Sequence, residues 1–296
     1  MKVNKPLGIL AVLFSILVWG ISFVSTKVVL TELPPVTIAF LRQFAALVPL
    51  FALCSLKKEN LRIERKEILT FIIATFFGIV LYFVFENTGL TMTTASNASM
   101  LVATIPIFVL ITESAVQRKK IAVPSLICII ASVSGVYFVV FEDGLPDFSS
   151  KTFLGNILIF GAMFSWIIYT FVSEKLGKKY SSLKMTTIQT LAGIPLFLPF
   201  VSVEIPAWKT PSFEGIINIL FLGVFCSALA YVFFLSGIKT LGPVLPSSLL
   251  NLIPVVTIFA GAIFLDETIS FYQAMGTVLI IGSLTFLSIH KLKSSE

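Results

Sequence analysis

The sequence predicts an all-α integral membrane protein: ten transmembrane helices arranged as two inverted five-helix repeats. Three observations predict it. Of the 296 residues, 57% are hydrophobic and 12% charged, with a mean hydropathy of +1.01; a soluble domain carries about 25% charged residues. The apolar residues come in runs of about 20, enough for a helix to cross a hydrocarbon core of about 30 Å. Basic residues gather in alternate connections between those runs, which is the signature of a chain threaded through a membrane.

The spans follow in order. The first, 7–29, is too long and its leading segment Met1–Pro6 too short for a cleavable signal peptide, so it is expected to stay. It carries Trp19 near mid-membrane and Lys27 near one end. The second, 34–56, holds Arg42 about 5 Å from the midplane, counting 1.5 Å per residue. An isolated Arg there costs about 2.5–3.5 kcal/mol, so it should face the bundle interior and find a partner. In the third, 68–88, Glu86 stands about 11 Å from the centre. It is the only acidic residue well inside the spans on that side, and Arg42 or Lys27 is expected to partner it. Two readings stay open for these charges: a gate or coupling site, or a structural ion pair.

The fourth span, 93–113, sets Asn97 and Thr104 on one face with Met100, Leu101 and Phe108. Its other face carries Ala95, Ser99 and Ala103, a small-residue ladder that lets helices approach. The fifth, 122–141, offers no chemistry. The sixth, 152–173, brings Trp166 and Tyr169; the seventh, 183–201, brings Gln189 and Pro195; the eighth, 215–237, brings Tyr231. In the ninth, 243–264, Asn251 lies one turn before Pro254 and either binds solute or, like Ser247, serves the carbonyl that the proline leaves without its donor. Pro106 and Pro254 are expected to kink their helices. The tenth, 270–290, ends at the single histidine, His290.

Seventeen of the 21 Lys and Arg fall on one set of connections and at the two termini, so both termini are expected to be cytoplasmic. The net charge of +6 is then a topology signal and no nucleic-acid footprint. Cys54, Cys128 and Cys226 all lie inside apolar runs and read as packing residues.

The halves repeat. Gly8 and Trp19 correspond to Gly155 and Trp166 at a separation of 147, Gln43 and Pro49 to Gln189 and Pro195 at 146, and Gly89 and Pro106 to Gly237 and Pro254 at 148. The unit holds five spans, an odd number, so residues 149–296 enter the membrane from the side opposite to residues 1–148. Lys119 and Lys120 accordingly oppose their counterparts Glu267 and Thr268. Inverted repeats of this kind build secondary transporters whose halves rock about a midplane site.

On WGISFVSTK, PPVTIAFLRQF, the paired SNASMLVATIP and SSLLNLIP segments and FLDETIS, the chain resembles the EamA-type transporters of the drug/metabolite transporter superfamily, from Gly8 to about Ile289. The resemblance implies ten helices, passage of small metabolites, amino-acid export as the commonest role, and a pocket among the first, third, fourth, sixth, eighth and ninth helices. The expected substrate-binding residues are Trp19, Asn97, Thr104, Trp166, Tyr169, Tyr231 and Asn251, with Arg42, Glu86 and Lys27 as gate or coupling residues. Tyr82 joins Trp19, Trp166, Tyr169 and Tyr231 in a wall of amphipathic aromatics that, with a few amides, suits an apolar solute with a polar end.

There is no HExxH, Walker loop, GxSxG or CxxC, so neither catalysis nor an ATP site is expected, and no cofactor or metal. The expectation is an exporter of a small amphipathic metabolite, an amino acid among the candidates, in a bacterial plasma (inner) membrane. Its partners would be the small-molecule solute, membrane lipid and a coupling proton, with no nucleic acid. A monomer would suffice, with a dimer as the alternative. Competing expectations are uptake of a similar solute and a non-transporting component such as a lipid-flipping partner.

Overall fold

The computed structural model describes residues 5–117, 122–141, 148–242 and 244–293, and these are helical with no strand among them. The connection holding Arg118, Lys119 and Lys120, and the acidic residues Glu142, Asp143 and Asp147, lie outside the described residues. In chain order the helices are α1 (Lys5–Val29), α2 (Pro35–Leu56), α3 (Arg65–Leu90), α4 (Ala95–Val102 and Ile105–Gln117), α5 (Val123–Val140), α6 (Lys151–Gly177), α7 (Ser182–Val201), α8 (Phe213–Leu241), α9 (Val244–Leu249, Leu250–Leu252 and Ile253–Phe264) and α10 (Phe271–Lys293).

By length and composition, α1, α2, α3, α5, α6, α8 and Leu245–Phe264 of α9 can each cross a membrane. Ala95–Val109 and Phe271–Ser283 are shorter apolar helices. Large apolar side chains such as Leu17, Val48, Phe164, Phe259 and Val278 point outward, as a lipid-facing surface requires.

Local chemistry sets the boundaries. Pro35 opens α2, where its missing N–H would have had no partner anyway. Side-chain oxygens of Thr94, Ser150, Ser181 and Ser212 accept from backbone N–H groups in the first turns of α4, α6, α7 and α8. Gly242 ends α8 at φ +79°, a conformation that favours glycine. Both prolines expected to bend helices stand second in a new segment. Pro106 follows a break at residues 103–104, and Pro254 follows the one-turn 3₁₀ stretch Leu250–Leu252.

Two departures from α geometry could not be read from the sequence. Phe76–Leu81 in α3 and Leu222–Leu229 in α8 are π-helical. A π turn shifts the hydrogen-bond ladder by one residue and frees carbonyls for other donors. Each stretch is closely packed: Gly78 lies beneath the ring of Tyr169, and Gly223 against Ala45 and the Arg42 carbonyl.

Packing is ordered by pairs. α1 lies against α8 and α9, α6 against α3 and α4, α2 against α7, and α5 against α10. One end of the bundle is acidic and the other basic. At the acidic end Glu32 accepts from Ser212 at the start of α8, Glu204 from the N–H groups of Val36 and Thr37, and Glu267 from those of Ala95 and Ser96. At the basic end Lys179 pairs with Glu67, and Lys184 donates to the Arg62 carbonyl.

Candidate functional site

A cavity lies where α1, α2, α3, α4, α6, α8 and α9 converge. Trp19, Ser22 and Phe23 come from α1, Arg42 from α2, and Tyr82, Phe83 and Glu86 from α3. Trp166 and Tyr231 face them, and Val102, Ile105, Leu250 and Ile253 close it with apolar surface. Its free space is about 30 Å³, room for about two water molecules. A metabolite fits only if the surrounding helices separate.

Trp166 is the hub of the aromatic lining. Its ring contacts those of Trp19, Tyr82, Tyr169, Tyr231 and Phe234 at centroid distances of 5.3, 5.3, 5.1, 5.7 and 5.6 Å. Most of these contacts are tilted or edge-on, the arrangement that ring quadrupoles favour.

The π stretches explain how the polar side chains are held. Trp19 Nε1 donates to the Cys226 carbonyl at 3.0 Å, Arg42 Nη2 to the Leu222 carbonyl at 3.2 Å, and the Tyr231 hydroxyl to the Gly78 carbonyl at 3.0 Å. All three acceptors belong to π-helical residues. Arg42 also donates from Nε to Ser227 Oγ at 2.7 Å, and its guanidinium lies 4.2 Å from the centre of the Phe83 ring.

The expected ion pair between Glu86 and a cation is not what forms. Among the described residues Glu86 makes no salt bridge, and its Oε1 instead accepts from the Tyr82 hydroxyl at 2.6 Å. The Arg42 guanidinium is instead held by the π carbonyl of Leu222, by Ser227 and by the Phe83 ring face. Lys27 is farther off: it donates to the Leu90 carbonyl at 2.8 Å, at the C-terminal end of α3, where a cation meets the helix dipole favourably.

Trp19, Arg42, Glu86, Trp166 and Tyr231 thus gather around one cavity. Besides Lys27, four other expected residues do not line it. Tyr169 stands behind Trp166, its hydroxyl 3.4 Å from Gln189 Oε1. Asn97 donates to Asn156 Oδ1 at 2.8 Å and to Thr93, tying α4 to α6. Thr104 turns back on the Leu101 carbonyl. Asn251 sits in the 3₁₀ stretch between two lining residues, Leu250 and Ile253.

Ser22 is a lining residue that the sequence reading did not name, and Tyr82 one that it counted in the aromatic wall but not among the binding residues. Tyr82 was legible: it precedes Glu86 by four residues, so the two share a helix face.

A second, wider cavity of about 410 Å³ opens at the acidic end, lined by the ends of α1 and α3 and by the chain just before α4 and just after α9. Lys27, Thr31, Thr91, Thr94 and Glu267 supply its polar surface. Among the described residues no group of three His, Cys, Asp or Glu side chains is placed to hold a metal ion.

A model of the EamA-like transporter family matches this chain twice, over residues 6–141 and 153–289. An uncharacterized transporter of Archaeoglobus fulgidus is 28% identical over 91% of this chain and 93% of its own length. A second from the same organism is 30% identical over 89% and 92%. The uncharacterized transporter YetK of Bacillus subtilis is 25% identical over 94% and 85%. A crystal structure only 14% identical in sequence shares the fold, with a TM-score of 0.68 over 98% of this chain and 99% of the other.

Proposed function

The chain belongs to the EamA-like transporter family and is a multi-pass membrane protein, and from that premise we propose that it exports a small amphipathic metabolite by alternating access. The carrying observation is the central cavity, where a carboxylate and aromatic rings meet between helices of both halves. In this reading ten helices cross the membrane as inverted repeats, residues 1–148 and 149–296. The pairing of helices supports it. α1 on α8 and α9 is matched by α6 on α3 and α4, while α2 and α7, and α5 and α10, are each other's counterparts. The basic end faces the cytoplasm of a bacterial cell, and the acidic end with its wider cavity faces outward.

The solute occupies the central cavity when the helices part, its apolar body against the rings and its polar end toward Glu86. Movement follows a gradient of the solute or of protons, with Glu86 as the group that carries the proton. An amino acid is one candidate for the solute.

The test is solute counterflow in liposomes containing the purified chain, alongside the extracellular metabolite profile of a host expressing it. Export is supported by a compound that accumulates outside only with the active chain and exchanges in liposomes. Depletion of a compound from the medium would reverse the direction, and no exchange of any solute would remove the transport reading. Glu86→Gln is expected to abolish pH-driven movement while downhill exchange persists; equal loss of both would make the carboxylate structural.

A further inference from the structure

The wide cavity at the acidic end is separate from the central one and shares no lining residue with it. Its walls are apolar at Leu30, Leu90 and Leu265 and polar at Lys27, Thr31, Thr91, Thr94 and Glu267. Its volume of about 410 Å³ falls in the range of small-molecule sites. What it can hold follows from which of its polar groups are already used.

Glu267 is spent. Its Oε1 accepts from the Ala95 N–H at 2.8 Å, and its Oε2 from the Ser96 N–H and hydroxyl at 2.9 and 2.6 Å. Those N–H groups open α4, so the carboxylate charge is met by a helix start. Thr31 and Thr91 give their hydroxyl protons to the Val28 and Thr88 carbonyls, both at 2.7 Å. Lys27 is only partly used. An ammonium has three donors, and among the described residues Nζ gives one, to the Leu90 carbonyl at 2.8 Å. No salt bridge joins it to Glu267. Thr94 accepts from the Asn97 N–H at 3.0 Å, and its own proton goes to no described residue. The unspent groups are therefore donors, one of them a cation, set beside a wall of leucines.

We propose that this cavity is a second binding site, for an oxyanion (a carboxylate or phosphate group) carried on an apolar body. Lys27 Nζ and the Thr94 hydroxyl donate to the anion, and the leucines cover the body. The site is independent of whatever occupies the central cavity, so it is tested on the purified chain without a transport step. The anion comes either from a lipid headgroup or from a soluble compound, and the chemistry of recognition is the same.

Isothermal titration of the purified chain in a non-ionic detergent with hexyl phosphate, hexanoate and hexylamine compares three heads on one tail. The expectation is one-to-one binding of the two anions and none of the amine. Lys27→Met should weaken both anions about tenfold or more, the worth of a hydrogen bond to a charged group. Lys27→Arg keeps the charge and should retain binding. Thr31→Cys, in a chain whose three buried cysteines are replaced, places the anion: its alkylation should slow when hexyl phosphate is bound. Displacement of hexyl phosphate by dioleoylphosphatidylglycerol names a lipid headgroup as the occupant; displacement by inorganic phosphate alone names a soluble anion. The proposal is overturned if neither anion binds, if hexylamine binds as tightly, if Lys27→Met keeps wild-type affinity, or if the ligand leaves alkylation at residue 31 unchanged. The comparison of heads is made on the unaltered chain and stands even where a variant fails to fold.

Discussion

At the scale of single residues, membrane depth alone made Arg42 and Glu86 conspicuous, and both do line the central cavity. The carbonyl partner of Arg42 was not legible, because it belongs to a π turn that no residue pattern announces; Glu86 meets Tyr82, which stands four residues before it on the same helix face. The tryptophans allow a sharp comparison. Trp19→Phe deletes a donor together with its hydrogen bond to the buried Cys226 carbonyl. That should cost about 0.5–1.5 kcal/mol and lower the melting temperature in detergent. Trp166→Phe deletes a donor that has no acceptor among the described residues, and should leave the melting temperature unchanged or raised. If both variants melt alike, the difference between the two N–H groups has no energetic content. Asn97 shows the opposite lesson. An amide inside an apolar span reads as a ligand group, yet here Asn156 on the neighbouring helix uses it. Sequence places such a side chain on a helix face; it does not say which helix lies opposite.

At the scale of elements, lengths and boundaries were legible because they follow hydropathy and caps. α1, α2 and α6 run within a few residues of the expected spans, and the breaks before Pro106 and within α9 follow from the missing N–H and the proline ring. The π stretches were not legible, although each contains a glycine, Gly78 or Gly223, among bulky apolar residues. Those glycines let a neighbour approach. A methyl group at residue 78 would overlap the Tyr169 ring, which is itself fully buried beside Trp166. Gly78→Ala should therefore destabilise by about 1–3 kcal/mol through overpacking. Adding Tyr169→Leu to Gly78→Ala should recover part of that loss in the same thermal melt. Additive losses would mean that the ring is not what the methyl meets.

At the scale of the whole molecule, three glutamates of the acidic end each join one half of the chain to the other. Glu32 precedes α2 and caps α8; Glu204 follows α7 and caps α2; Glu267 follows α9 and caps α4. Asp266, in a left-handed conformation at φ 52°, turns the chain so that Glu267 reaches α4. A carboxylate at a helix start satisfies free N–H groups and complements the dipole, so these contacts tie the two halves together at the acidic end. Hydrogen bonds from Ser212 keep the Glu32 carboxyl below the usual carboxylate range. Its stabilising contribution is therefore present above the unfolded value of about pH 4.3 and is lost as pH falls through the lower, folded value. Near neutral pH the contacts have to be weakened by substitution. Glu204→Gln with Glu267→Gln keeps the shape but removes both charges, at about 1 kcal/mol per cap. Together that shifts the balance toward separation of the acidic end on the order of 30-fold. The reporter is Ser22→Cys, a cavity residue, in a chain whose three buried cysteines are replaced. Labelling by a membrane-impermeant maleimide added outside intact cells should accelerate by that order in the double variant. An unchanged labelling rate would mean that the glutamates only cap their helices.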